Sequence, residues 1–291
     1  MTTVSVVTGA NSGIGRATAL HLASLGHEVY GSVRNLDSAA KLQSMAEAAG
    51  VEVQLFTMDV ADDESVRVGL GGVLERAGRV DVLVNNAGVG GNAVMEECPP
   101  ALYNEVFNIN VCGAVRCVQA VLPGMRERRS GTIVNITSIT GRIAAIAQQP
   151  YVASKWALEG ATEGLAQEVA PFGIRVAIIE PGITKSAIFA KNVDAPNQSG
   201  AYDAHYRRLF QFYAAGLAEA TDPAEVAELI EHVITTDDPK LRYTVSWGGP
   251  EIDQARRAMS DEDWVALGLP EDDDEYYDRF SEAFGVDIRR H

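Results

Sequence analysis

Cysteine is scarce: Cys98, Cys112 and Cys117 are the only three in 291 residues. An odd count without C-x-x-C spacing excludes a disulfide framework and a cysteine zinc site, and fits thiols kept reduced. The five histidines are scattered without ligand spacing, so no metal is expected. Positive charge is also short. Lys and Arg total 24 against 40 Asp and Glu, a net charge of −16 with pI near 4.7. That balance argues against nucleic acid and against an anionic membrane surface as partners. Long apolar runs are lacking, and the opening MTTVSVVTG has no basic leader region, so neither a signal peptide nor a membrane span is expected. A cytoplasmic protein is the default expectation. Internal repeats and flexible interdomain linkers are absent as well.

What is present is a chain 46% hydrophobic and 22% charged, long enough for a sizeable core. Seven short apolar runs read as strands: 4–9, 27–33, 51–60, 80–88, 132–138, 174–182 and 241–247. The central ones are rich in Val and Ile with little alternation, as in parallel strands covered on both faces. Helical patterns fall between them at 15–26, 38–50 and 63–78, and two longer helices are expected at 100–127 and 151–171. Alternation with right-handed crossovers predicts an α/β fold: one doubly wound domain, a seven-stranded parallel sheet with helices on both faces. That domain takes up residues 1–250. Within it, 184–220 is polar-aromatic and weakly patterned, either a cover over a site or a plain surface excursion. Residues 251–291 form an acidic extension containing EDDDEYYD (271–278). Trp264, Val265, Leu267, Leu269, Tyr276, Tyr277 and Phe280 are too many apolar groups for a disordered tail, so a helical segment docked on the body or a partner is expected.

Two clusters carry chemistry. TGANSGIG (8–15) follows the first strand and opens a helix. Gly9, Gly13 and Gly15 permit a tight turn and close approach of backbone to a ligand, and the helix N-terminus behind them suits a pyrophosphate. Farther on, YVASK places Tyr151 and Lys155 four residues apart, on one helix face, thirteen residues after Ser138. A nearby ammonium favours a phenolate and would lower the phenol's usual value near ~10, giving a general acid/base with Ser138 beside it to hold a carbonyl or hydroxyl oxygen.

The ordered landmarks TGANSGIG, Asp59-Val60, NNAG (85–88), Asn110 in FNINV, Ser138, YVASK and PGITKS (181–186) resemble those of the short-chain dehydrogenases/reductases, over about residues 3–250. The resemblance implies a Rossmann-type fold, a nicotinamide cofactor and a catalytic tetrad of Asn110, Ser138, Tyr151 and Lys155. It further implies that Tyr151 gives a proton to the developing alkoxide, that Lys155 lowers the phenol pKa and binds ribose hydroxyls, and that Asn110 holds a relay water. Cofactor contacts carry over to Gly9, Asn11, Ser12, Gly13, Ile14 and Gly15 in the glycine loop, and to Asp59 and Val60 at the adenine. Asn86, Ala87 and Gly88 fall beside its ribose, and Pro181, Gly182, Ile183 and Thr184 fall at the nicotinamide.

At the end of the second strand, NAD-dependent enzymes place an acid. Here Val33 stands there and Arg34 follows, able to fork a 2′-phosphate, with Ser32 or Asn35 as neutral donors. Asp37 is expected to cap the next helix. NADP(H) is therefore favoured, with NAD(H) as the alternative. Segments 89–95, 139–149 and 183–189 flank the tetrad in this fold. Ser138, Ile143, Ala145, Gln148, Tyr151 and Ile188 are the expected substrate contacts, joined by Ala144, Ile146 and Phe189, and Arg142 is assigned to the surface. That lining suits an uncharged, fairly apolar ketone or secondary alcohol. Apolar residues on several faces of the two long helices (Val115, Val118, Val121, Leu158, Leu165, Val169) suggest a homodimer or homotetramer. Two other readings stay open: a nucleotide-binding regulator without chemistry, and an epimerase or dehydratase of the same fold.

Overall fold

The structure is a computed structural model that describes residues 2–186, 188, 189, 192 and 196–289. Seven parallel strands, β1 (Val4–Val7), β2 (Glu28–Val33), β3 (Val53–Thr57), β4 (Val82–Asn85), β5 (Gly131–Ile136), β6 (Ile174–Pro181) and β7 (Arg242–Val245), lie in the order β3-β2-β1-β4-β5-β6-β7. Every pairing is parallel, with Ser5 set between Val29 and Val82. The order reverses between β1 and β4, and the crevice beyond the carboxyl ends of those two strands is where such sheets bind ligands.

The sheet is covered on both sides by helices α1 (Gly13–Ser24), α2 (Ala40–Ala49), α3 (Asp63–Ala77), α4 (Pro100–Phe107), α5 (Gly113–Arg128), α6 (Gln149–Val169), α7 (Asp203–Ala218) and α8 (Pro223–Thr235). Side chains alternate along each strand. Val4 and Val6 therefore join Leu83, Ile133, Leu70, Val121 and Met125 on one face. Val7, with Val29, Val84 and Ile179, meets Leu22, Leu42 and Ile230 on the other. Each fully buried aliphatic side chain of this kind contributes about 1.5–3 kcal/mol.

Several expectations need correction. The helix foreseen over 100–127 is interrupted by a π-helical turn at Asn108–Cys112, and that turn carries Asn110. Pro100–Arg128 is apolar and long enough, by composition, to cross a membrane. In this fold Cys117, Val118, Val121 and Met125 from that stretch are buried against the sheet. Most apolar residues that suggested a subunit interface are likewise used within the chain. Val118, Val121, Leu158 and Val169 are buried, while Val115 and the unforeseen Trp156 are exposed. Asn35, not Asp37, makes the cap after β2: its side-chain oxygen accepts from the Asp37 amide at 2.9 Å. A short amide side chain two residues ahead reaches that N–H, which the carboxylate at 37 cannot.

Within 184–220, α7 is a regular helix with Tyr206, Leu209, Tyr213 and Gly216 buried along one face. Beyond β7 come α9 (Gly249–Ala258), α10 (Asp261–Ala266) and α11 (Asp273–Phe284). Asp272 caps α11 by accepting from the Glu275 amide, and Gly285 ends it in the left-handed region. Tyr276, Phe280, Phe284, Val286 and Ile288 pack with Ile139, Ile143, Ala215 and Ile252. The extension thus has a core of its own, laid against the turn after β5 and against α7.

Candidate active site

The glycine loop lies at the sheet's reversal point. Gly13 has φ +51°, and a Cβ there would stand 2.8 Å from Ser186 Oγ. A Cβ at Gly15 would come within 2.5 Å of the Gly9 carbonyl oxygen. The turn is therefore closed to larger residues by packing as well as by backbone conformation. Asn86 braces it from β4, donating from Nδ2 to the Thr8 and Gly9 carbonyls at 2.8 and 3.3 Å. Ser12 precedes α1 in extended conformation without a side-chain cap, and the first turn carries no acid. An uncapped, acid-free helix start with glycines against it is a donor set suited to a pyrophosphate.

One cavity of about 230 Å³ runs from this loop to the expected catalytic groups, lined by Gly9, Asn11, Ser12 and Ile14, then Asn86, Ala87 and Gly88, then Ser138, Gln148, Tyr151, Lys155, Pro181, Gly182, Ile183, Thr184 and Ile188. A smaller recess holds Gly9, Asn11, Arg34, Asp59, Val60, Ala87 and Gly88, with Ser32 and Val33. Together the two contain or adjoin every expected cofactor position. Arg34 is exposed, and among the described residues it has no ion-pair partner. Ser38, beside the recess, accepts from Asn11 Nδ2 at 3.0 Å and donates its hydroxyl to the Asn35 carbonyl at 2.6 Å, so it braces the recess wall. Asp59 accepts from the Ala61 amide through Oδ1. Ser32 is committed inward, 3.4 Å from the Gly9 amide.

Around the tetrad, Tyr151 and Lys155 share a face of α6, with Lys155 Nζ 5.6 Å from the tyrosine ring centre. Nζ donates to the Ile136 carbonyl at 3.0 Å. Ser138 follows β5 and lies 3.4 Å from the Pro181 carbonyl oxygen, donating to it. A Cβ at Gly88 would be 3.2 Å from Asn110 Oδ1 and 3.8 Å from Lys155 Nζ, so both side chains crowd that glycine. The electrostatics depart from expectation. Burial pushes the Tyr151 phenol up to about 12, and the Ser138 hydroxyl offsets part of that rise. Burial draws Lys155 down to about 8, opposed by Glu159 one turn along α6. Desolvation of the phenolate governs the phenol, and the group that offsets it is Ser138 rather than the expected Lys155. Asn110 is also more occupied than expected. Its Nδ2 donates to the Val89 carbonyl and to Ser154 Oγ, and its Oδ1 accepts from the Val89 amide. It ties the loop after β4 to α6.

Other expected contacts move. Ile183 has its amide donated to the Trp247 carbonyl and its own carbonyl accepting from Thr221, while Thr184 Oγ1 shares a hydrogen bond with Ser246. Those backbone groups are spoken for by the bridge between β6 and the turn after β7. Ile143 and Ala145, with Ala144 and Ile146, do not line the tetrad cavity; they line a second, apolar cavity behind it. The short helical turn at Ile139–Gly141 carries the chain away from the tetrad before those residues are reached. Arg142 is not a solvated surface group but pairs with Asp253 at 3.3 Å and lies 3.8 Å from Glu180. The sequence reading missed Tyr213. Its hydroxyl takes a hydrogen bond from Gln148, receives another from Asn192 at 3.2 Å and donates to Asn92 at 3.0 Å. It makes a polar roof over the cavity that also contains Tyr151. The buried stripe of α7 was the available signal, masked by the arginines and glutamine between its aromatic residues.

Known proteins share this architecture. The family model described as "short chain dehydrogenase" matches residues 3–197. The chain is 38% identical over 254 residues to mouse 17-beta-hydroxysteroid dehydrogenase type 1, covering 83% of this chain and 73% of that protein. A short-chain dehydrogenase structure from Streptomyces avermitilis superposes with TM-score 0.77 at 35% identity, covering 92% of this chain and 98% of the other. A single-substitution form of actinorhodin polyketide ketoreductase, solved with NADPH, gives TM-score 0.71 at 31% identity over 84% of this chain and 95% of its own. The glycine turn, the reversal point and these likenesses agree: the chain is a member of the short-chain dehydrogenase/reductase family of oxidoreductases.

Proposed function

We propose that this chain is an NADP(H)-dependent oxidoreductase that interconverts a ketone and a secondary alcohol on a fairly apolar substrate. The observation that carries the reading is the single cavity joining the acid-free start of α1 to Ser138, Tyr151 and Lys155. A nicotinamide bound there would supply or accept the hydride. The remaining work falls to the chain. Ser138 orients the substrate oxygen, and the Tyr151 hydroxyl donates a proton to it as negative charge develops. A phenol held near 12 is fully protonated at neutral pH, which suits the reducing direction. Lys155, still mostly cationic at pH 7, keeps positive charge beside the phenol as the proton leaves. Asn110 fixes the loop on which Gly88 and Val89 approach the cofactor. A relay water would be left one lone pair of its Oδ1 or its backbone carbonyl.

The cofactor choice rests on Arg34, an exposed guanidinium without an ion-pair partner among the described residues, at the recess where an acid would serve NAD. The ketoreductase neighbour solved with NADPH supports the same choice. Exposed Val115 on α5 and Trp156 on α6 are the residues on which a homodimer would rest.

The test is paired titration with NADPH and NADH, followed by turnover of a lipophilic ketone. Arg34→Ala should weaken NADPH by about 10–100-fold with NADH little changed. Equal losses for both would refute the phosphate fork. Tyr151→Phe should lower kcat by about 10²–10⁴ with cofactor affinity held within about twofold. A variant that keeps its kcat would remove Tyr151 from the chemistry.

A further inference from the structure

A second cavity, again of about 230 Å³, lies behind the first. The two share Ile139, Thr140 and Phe212 in their walls. Its lining is almost wholly apolar, with Ile143, Ile146 and Leu209 on the body side and Trp264, Leu267 and Phe280 contributed by the extension. Among the described residues the one charged lining residue is Arg208, and its Nε and Nη2 are engaged by the extension. Nε donates to Asp273 at 2.8 Å, and Nη2 donates to the Pro270 and Glu271 carbonyls at 2.8 and 3.2 Å. The same group lies 4.4 Å from the Tyr276 ring centre. It is a strut for the extension, with its cation held against the ring and the Asp273 carboxylate. Phe212 stands between the chambers, its ring 6.0 Å from Phe280 and 5.5 Å from Trp247.

Ligand sites usually measure ~300–1,000 Å³. Each chamber is below that range, and the first must also admit the nicotinamide end of a cofactor. Room for the body of a substrate is therefore found past Phe212. Protein interiors are normally close-packed, and an unfilled apolar chamber forfeits contacts that folding would otherwise recover. Occupation by an apolar group accounts for its persistence.

The geometry points to the second cavity as the tail site for the substrate: an elongated amphiphile, its carbonyl or hydroxyl held at Ser138 and Tyr151 and its apolar body running past Phe212 against the helical extension. This rests on the ketone/alcohol reading above. The extension's α10 and α11 are then the outer wall of a binding site, and short substrates are disfavoured because they leave the apolar chamber unfilled.

The experiment uses the full-length protein with its preferred cofactor and 2-alkanones from 2-butanone to 2-dodecanone. kcat/KM should climb by about 3–4-fold per added methylene until the chamber is filled. Leu267→Trp, which fills the chamber from the extension, should cut the dodecanone-to-butanone ratio of kcat/KM by at least about tenfold. Cofactor titration of the variant confirms that it is folded. A ratio near one in the native protein, or a ratio unaffected by Leu267→Trp, overturns the tail site even if every ketone is reduced. Occupancy is read separately from Trp264 fluorescence, with Trp264→Phe as the blank. Dodecanone that shifts this signal without being reduced sinks the reductase reading and keeps the chamber as an apolar-tail site; no shift and no reduction sinks both.

Discussion

Glu180 is the residue whose environment contrasts most with its chemistry. It is fully buried at the end of β6, directly before Pro181, and neither carboxylate oxygen has a hydrogen-bond partner among the described residues. Arg242 and Arg142 approach one oxygen only to 3.5 and 3.8 Å. Desolvation raises its pKa to about 7, reinforced by Glu159 and Asp253 and opposed by Arg142 and Arg242. An unfolded Glu titrates near 4.5. Between those values the folded chain holds a proton that the unfolded chain has lost. The group's contribution is therefore present below about pH 4.5 and is lost as pH rises through 7, on the order of 3 kcal/mol in all. Glu180→Gln should remove that dependence. In chemical denaturation, the stability of Glu180→Gln relative to native should improve by roughly that amount from pH 5 to pH 8. A difference that stays constant with pH would mean that the carboxyl ionises normally in the fold. Comparing the two proteins at each pH cancels the opposite trend from His27 and His205, whose lowered pKa values favour the folded state as pH rises.

At the scale of elements, what was legible followed from periodicity and from local turn chemistry. Seven apolar runs rich in Val and Ile became seven strands, and the glycine loop stood between β1 and α1 as its spacing required. Tyr151 and Lys155 share a face of α6 because i and i+4 do so in any helix. What was not legible depended on contacts between distant parts of the chain. The π-helical turn at Asn108–Cys112 adds a residue to the helix at a run of weak helix formers, Asn, Ile, Val and Cys before Gly113, which lowers helix propensity without specifying a π turn. Ile143 and Ala145 were expected beside the tetrad, yet the turn at Ile139–Gly141 sets them in the wall of the second chamber, the one assigned above to the substrate's tail. Tyr213 reaches the tetrad cavity from a helix more than fifty residues away in sequence, and its partners Gln148 and Asn92 come from separate loops. The fall in pKa expected for Tyr151 failed for a related reason. A Lys four residues away is visible in sequence, while the burial that raises the phenol belongs to the assembled site.

For the whole molecule, the charge balance decides how stability responds to salt. The net charge of −16 is spread over a body crossed by many ion pairs, but several of these are exposed, such as Arg67 with Glu64 and Arg279 with Glu275. Exposed pairs contribute little, about 0–1 kcal/mol each, and salt weakens them. Repulsion among the excess carboxylates is longer in range and is also screened, with a Debye length falling from about 30 Å at 0.01 M to about 8 Å at 0.15 M. The extension concentrates this repulsion: Asp272, Asp273, Asp274 and Glu275 stand at the start of α11, where the helix dipole and the Arg207 and Arg208 pairs with Asp273 hold only part of it. Screening the repulsion should outweigh weakening the pairs. The expected result is a Tm that rises by about 2–5 °C between 0.02 and 0.3 M NaCl at pH 8, roughly 1–2 kcal/mol for a chain of this size. The rise should shrink at pH 5, where the carboxylate excess is partly neutralised. A Tm that falls with salt at pH 8 would mean that the ion pairs anchoring the extension, with Arg208 at their centre, outweigh the repulsion around them.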